Sequence, residues 1–573
     1  MPSSLLVVKF CGAFVVWILC ADLGFLCGQD AADGPSPTGE VQGGVKGGEE
    51  SLDQKEDALI EAGELVSAGK LEIETRYRRA QPLWNYEGMS DLAKVWASQT
   101  SDVQEKERLS KLEAFGSSWW HEMEQRYGIF PPVESSRCDE TVALGLIKTQ
   151  AKMITTRTTG LSSDCRLCHS TMLFTGVDSE RPEVEFFEGM TNPFLDFERF
   201  HQDMAVAGHT SPGFLFPKNV PRYFLSSADF FDVLIPELRL DGSTPNLLRF
   251  MGFFLAKKGS KYTKDAESVA PLIPFIKPQP WTHYKWKTRA SEVQGLYVDG
   301  TFTGNLAAVS YAMMISVDPT GRDYINAKDT FQKCGPAYLD SLSAPRYPFL
   351  SQVDHDLAQS GHRVYMQNCA KCHGEYEAVG GAEYRLIRYP GKRVSRDEVG
   401  TDPLRIDLLY THLHADKEGL KGDEHKQNGY VAPPLEGIWA RGPYLHNASV
   451  PTLYQLLNSK TRYQMFGIRP SSTDPGNFDT ERVGWKSVDL SEFTAERLQE
   501  LLKDDPYIRV FNPQWRTSKQ VAQLVKSLEQ FKEFGVDPER PEKYTGLLNT
   551  GHAFGDALSE DQRMAVIEFL KCL

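Results

Sequence analysis

A disulfide framework is the first thing this chain lacks. Its 573 residues include ten cysteines, and three of them (Cys11, Cys20 and Cys27) fall within the first 28 residues. Four more lie in two short motifs. Cys138, Cys334 and Cys572 remain, so at most one intramolecular disulfide can form, with one thiol left over. An excess of positive charge is also missing. With 63 Lys and Arg against 77 Asp and Glu, the net charge is −14, which argues against nucleic acid or an anionic membrane surface as a partner. Between Gly28 and Arg76 there is no aromatic residue, and Gly, Asp, Glu, Ser and Pro dominate the first half of that stretch. Such a segment buries too little apolar surface to offset its ordering entropy, so residues 29–76 are expected to be a flexible acidic, Gly-rich tether, with a weakly amphipathic helix starting near Leu52. No internal repeat is present beyond the two motifs.

Those motifs are Cys165-Arg166-Leu167-Cys168-His169 and Cys369-Ala370-Lys371-Cys372-His373. Two thiols at this spacing can add to the two vinyl groups of one porphyrin, and the histidine that follows is carried under the iron as its proximal ligand. A structural zinc site would need a second Cys/Cys or Cys/His pair nearby, and neither motif has one. A redox dithiol has no need of the histidine. Two covalently bound haem c groups are therefore expected, on Cys165 and Cys168 with His169, and on Cys369 and Cys372 with His373.

The first residues agree with that chemistry. Lys9 is the only charge before an apolar run from Phe10 to Leu19, which resumes through Leu23, Phe25 and Leu26. This pattern is that of a signal peptide over residues 1–28. The run is interrupted by Asp22 and is short for a bilayer span. Covalent haem attachment takes place outside the cytoplasm, so an exported protein is expected, periplasmic or extracellular, and membrane-tethered if the leader is retained.

At this length two or three cores can be buried. A first haem domain is expected over residues 77–345. It would contain a helix across Asp102–Arg126, where Leu109, Leu112 and Phe115 fall at helical spacing, and another across 141–156 before Cys165. After His169 the apolar patches Asn192–Leu195, Phe214–Pro217 and Phe250–Leu255 have no sustained period, which suits long irregular loops around a flat cofactor better than a sheet. The stretch Trp281–Gly304 is the richest in aromatics, and Trp286 and Phe302 are candidates for a dry distal pocket. His121, His283, His355, His362, His412, His414 and His425 are expected to be surface or structural. Ser343-Ala344-Pro345-Arg346-Tyr347-Pro348 is expected to link to a C-terminal cytochrome c domain over 346–573. There Asp354 should cap a helix over 355–368, and Ser559 with Gln562 should form a capping box opening the last helix. The fold expected is mainly α with extensive irregular loops, built as two c-type cytochrome-like haem domains.

The run from Ile438 to Leu453, Ile-Trp-Ala-Arg-Gly-Pro-Tyr-Leu-His-Asn-Ala-Ser-Val-Pro-Thr-Leu, resembles bacterial di-haem cytochrome c peroxidases, and more closely the rubber-oxygenase-like branch of that superfamily. Val399-Gly400-Thr401-Asp402-Pro403 and Gly551-His552-Ala553-Phe554-Gly555 are similar to the same branch. The resemblance covers 345–573 well, and before that little beyond the haem motif and Asn192–Leu195. It implies one six-coordinate haem that moves electrons and one haem with an exchangeable position for peroxide or dioxygen. The methionine that ligates the C-terminal haem in the peroxidases would fall on Lys460. In the oxygenase-like branch a C-terminal histidine serves, and His552 matches it, with His446 the alternative. No histidine follows His169 at the offset of a peroxidase sixth ligand; the next are His201 and His209. The resemblance thus implies a peroxidase- or oxygenase-type oxidoreductase with an open N-terminal haem, fed by a redox partner protein or a small electron donor. The alternatives are a pure electron carrier with two six-coordinate haems and a haem-bearing module of a larger exported assembly.

Overall fold

The computed structural model describes residues 62–72, 84–133, 141–149, 158–164, 166–175, 183–207, 277, 279–287, 334–403, 429–511, 525, 537–543 and 548–573. The leader 1–28, Cys138, Cys165 and Phe302 lie outside them.

Ordering reaches back into the stretch expected as a tether. Residues 62–72 are helical, and Gly69 is buried where a Cβ would meet the Cys334 carbonyl and Tyr338 of the helix over 334–341. The contact needs a glycine, and that is why composition alone hid it.

The single helix expected across Asp102–Arg126 is two, Val103–Ser110 and Ser117–Tyr127. Phe115 between them adopts φ +66, and its ring lies against Tyr86, 5.7 Å between centroids, and Trp119, 4.9 Å. The two helices pack with Tyr86–Gln99 and Phe197–Val206 around a core of Trp84, Trp96, Trp119 and Tyr127 that also takes in Leu167 and Cys168.

Of the helix expected over 141–156, the described part, 141–149, is instead a pair of strands. Thr141–Ala143 and Leu146–Thr149 join Gly160–Ser163 and Trp84–Asn85 in a four-stranded antiparallel sheet. Gly145 turns between the first two at φ +78, with no room for a Cβ against the Leu167 backbone. The β-branched Thr141, Val142, Ile147 and Thr149 favour the extended form. After His169 the chain forms a hairpin of Ser170–Thr175 with Glu183–Glu188, where irregular loops were expected.

A second core crosses residue 345. Phe174 lies 5.7 Å from Phe349, 5.9 Å from Trp439 and 5.7 Å from Phe478. Tyr347 is buried in the same cluster, and Trp439 Nε1 donates to the Pro345 carbonyl at 3.0 Å. The two-proline stretch is therefore packed, not loose. Each such ring takes on the order of 200 Å² out of water, roughly 5 kcal/mol before entropy is counted.

Two crossed helices frame the C-terminal part. His355–Asn368 is capped by Asp354, whose side chain accepts from the amides of Asp356 and Leu357. Glu560–Leu570 opens with the Ser559/Gln562 capping box and buries Val566, Ile567 and Leu570. They cross at Gly361, whose missing side chain lets the Ala565 carbonyl into van der Waals contact. Among the described residues no helix is long and apolar enough to cross a membrane.

Candidate functional site

The helix His355–Asn368 delivers the second motif. Cys369 ends it, and Ala370–His373 forms one further turn that Gly374 stops at φ +99. Cys369, Cys372 and His373 are half-buried on one wall of a cleft of about 210 Å³. Val431, Leu435, Ile438 and Leu457 supply apolar wall, and Phe554 stands at the edge, 42% exposed.

His373 Nδ1 lies 2.8 Å from the Pro433 carbonyl. A carbonyl only accepts, so Nδ1 carries the proton, and Nε2 is left with a free lone pair directed away from that contact. His552 stands opposite, ring centroid to ring centroid 6.1 Å, with the planes 57° apart. A metal bound at about 2 Å by one nitrogen of each ring, with about 1 Å from nitrogen to ring centre, separates two centroids by about 6 Å. The pair therefore fits one iron between them. Burial, with His373 and Arg462 nearby, pushes His552 down to about 3; burial also lowers His373. Both rings are neutral at pH 7, as ligands must be.

His552 is not held by its own preferences. It sits at φ +47 and ψ +46, a left-handed conformation unusual outside glycine. Its amide donates to the Val399 carbonyl at 2.7 Å, and Gly551 has no space for a Cβ against Val399, Gly400 and Thr401. Two of the three stretches that carried the family resemblance, Val399–Pro403 and Gly551–Gly555, thus pack on each other. Arg462, buried, holds the turn from the other side. Its Nη1 donates to the Asn549 carbonyl at 2.6 Å and the Gly551 carbonyl at 2.7 Å, and Nε to Gln455 at 3.0 Å. The alternative ligand, His446, also lines the cleft, where its ring stacks on Tyr430 at 5.2 Å.

Two buried cations face the cleft as well. Lys277 Nζ donates to the carbonyls of Arg441 and Pro443, and Arg441 Nη1 to Pro434 at 3.0 Å. A porphyrin with two propionates suits such a wall.

The first motif lies in a tighter setting. Cys168 and His169 are buried on the short helix Arg166–His169, and Arg166 pairs with Asp164 at 2.7 Å beneath it. His169 Nδ1 is 3.0 Å from the Gln279 carbonyl, and Trp281 stacks flat on the ring at 4.8 Å and 16°. Burial lowers His169 to about 4. Both motif histidines thus give Nδ1 to a carbonyl whose residue precedes a proline, Gln279-Pro280 here and Pro433-Pro434 there. Gln279 also lines the C-terminal cleft. Trp286 is half-buried in the helix Tyr284–Lys287 and packs against the large core, away from that cleft's lining. His283, expected at the surface or in a structural role, is completely buried.

Gln279, Pro433 and Arg462 were not anticipated from the sequence. The signal available for the two carbonyls was only the proline after each, which holds the preceding residue extended and so outside a helix that would take up its carbonyl.

Residues 429–467 match the family described as RoxA-like, cytochrome c-like. That stretch contains Tyr430, Pro433, Arg441 and His446, which line the cleft, and Arg462, which holds the His552 turn. Two uncharacterized proteins of Sinorhizobium fredii (strain NBRC 101917 / NGR234) are similar. One, y4iM, is 30% identical over 216 residues, 32% of this chain and 44% of that protein; the other, y4iJ, is 27% identical over 207 residues, 26% of this chain and 33% of that protein. The chain thus spans less than half the length of either relative. The C-terminal part of the chain carries a RoxA-like, cytochrome c-like domain, and that likeness implies a c-type cytochrome with covalently bound haem c.

Proposed function

We propose that this chain is an exported di-haem c-type cytochrome acting as an oxidoreductase on peroxide or dioxygen. Cys369 and Cys372, with His373 and His552, would hold one haem. Cys165 and Cys168, with His169, would hold the other, which would be the one open to an oxidant. The observation that carries the reading is the His373–His552 pair, spaced for a single iron above the two motif cysteines. An iron held by both His373 and His552 would have no position left for an oxidant, so the oxidant would go to the His169 side and the C-terminal site would serve electron transfer.

Bound haem would supply one-electron chemistry; the chain sets how each iron is held. Trp281, parallel to the His169 ring, fixes its rotation and so the direction of its lone pair. The carbonyls of Gln279 and Pro433 keep both proximal rings in the tautomer that can ligate. Gln279, which touches His169 and lines the other cleft, gives electrons a short route between the sites. Phe302 and Trp286 are assigned to the dry distal side of the His169 haem. Electrons come from a redox partner protein or small donor outside the cytoplasm.

Electron paramagnetic resonance of the purified protein tests this. One low-spin and one high-spin ferric haem are expected, with carbon monoxide binding only one of the two reduced haems, and that response lost in His169→Gly. Two low-spin haems that bind neither carbon monoxide nor peroxide would make the chain an electron carrier.

A further inference from the structure

The proposed function leaves unused the core beneath the first haem motif. Trp96 Nε1 donates to the Tyr127 hydroxyl at 2.7 Å, and that hydroxyl donates to Asp203 Oδ2 at 2.6 Å. Asp203 is in turn held by Gln99 Nε2 at 2.5 Å. Trp96 and Tyr127 are completely buried and Asp203 is 4% exposed. A phenol bonded to a carboxylate can lose an electron only if its proton has somewhere to go, and here it has. Trp119 stands 5.9 Å from Trp96, and half-buried Trp120 4.8 Å beyond it, so the rings lead toward the surface.

The inner end of the row reaches the haem motif through bonds. The Asn192 amide donates to the Cys168 carbonyl at 3.0 Å, and its side-chain Nδ2 to the carbonyls of Gly128, 2.8 Å, and Leu167, 3.3 Å. Gly128 follows Tyr127 in the chain. Two hydrogen bonds of one asparagine thus join the cysteine expected to hold the porphyrin to the residue after the phenol.

We infer that Tyr127, with Asp203 as its proton acceptor and Trp96, Trp119 and Trp120 as the outward row, is a redox-active site that stores one oxidising equivalent drawn from the His169 haem. This rests on the proposed reading of that haem. Hydrogen peroxide takes two electrons and two protons from its surroundings to give two waters. With haem bound at His169, Tyr127 would supply one electron by way of Asn192, its O–H bond breaking as the proton passes to Asp203. The second electron would come from the redox partner or small donor of the proposed function, and solvent would give the two protons taken by peroxide. The oxidised phenol keeps the Trp96 N–H bond to its oxygen. Among the described residues Trp119 Nε1 has no hydrogen-bond partner to take its proton, so the hole rests on Tyr127 and not on that indole.

The experiment is to mix the haem-loaded protein with peroxide, freeze it and record paramagnetic resonance beside the visible spectrum. A tyrosyl signal is expected, narrowed when tyrosine is ring-deuterated, absent in Tyr127→Phe and several-fold weaker in Asp203→Asn. Haem content and the Soret band before peroxide is added should stay unchanged in Tyr127→Phe. Ring deuteration of the wild type works even if a variant fails to fold: a peroxide-induced radical that does not narrow overturns the inference. So does a tyrosyl signal that persists in folded Tyr127→Phe. A Soret shift with no protein radical overturns this inference alone; a Soret band that never moves overturns the haem reading with it.

Discussion

Arg462 holds His552 by the backbone. The guanidinium donates to the carbonyls of Asn549 and Gly551 at 2.6 and 2.7 Å, on the turn that keeps His552 at φ +47. A left-handed residue other than glycine costs about 1–2 kcal/mol, so the turn needs an outside hold. Each hydrogen bond from a charged donor contributes about 1.5–3 kcal/mol. Arg462→Met should destabilise the protein by about 3–5 kcal/mol and turn part of the C-terminal iron high-spin. Thermal unfolding and paramagnetic resonance on the same sample check both. A destabilised protein with unchanged low-spin haem would mean that Arg462 supports the fold but not the ligand.

His552→Ala should make the C-terminal iron fully high-spin, while His446→Ala should leave its spin state alone. The ring spacing to His373 is that of a shared metal, whereas His446 stacks on Tyr430. The reverse result would move the ligand to His446.

Gly361→Ala sets two effects against each other. In an isolated helix alanine is better than glycine by about 1 kcal/mol. Here the new Cβ would overlap the Ala565 carbonyl and force the crossed helices apart. Overpacking of that kind costs about 1–3 kcal/mol or more, so the substitution should lower the melting temperature. It should also loosen Cys369 and His373 at the end of the same helix. An unchanged melting temperature would show that the crossing can relax.

Much of this was legible because some signals are local. Two C-x-x-C-H runs need no tertiary information, and Asp354 and the Ser559/Gln562 box cap their helices within three residues. The pairing of His373 with His552, 179 positions apart, came from resemblance to a family and not from periodicity. What failed was local pattern overridden by distant contacts. Thr141 to Thr149 lack a strand's strict alternation because both faces of the hairpin are covered, so Val142, Ala143, Leu144, Leu146 and Ile147 are all buried. The break at Phe115 depends on Tyr86 and Trp119. The Arg462 clamp joins carbonyls up to 90 residues away, and nothing around Arg462 in sequence announces it.

The buried histidines make an acid-sensitivity prediction with a definite sign. His169 is lowered to about 4 and His552 to about 3, both chiefly by burial. An unfolded histidine titrates near 6.5. Above about 6.5 the rings are neutral in both states, and folding costs nothing in protons. As the pH falls below that value, the unfolded chain takes up protons that the folded chain refuses, so stability drops. The slope approaches about 1.4 kcal/mol per pH unit for each such histidine, down to about pH 4. Glu124 and Glu436, raised by burial, act in the opposite sense as the pH falls. Most carboxylates titrate below this window, so the histidines set its direction. This sign holds for the two rings without iron bound to them. The urea midpoint of the haem-free protein, measured from pH 7 to 4.5, should therefore fall steadily. A midpoint that stays level or rises over that range would mean the rings are not held neutral in the folded chain.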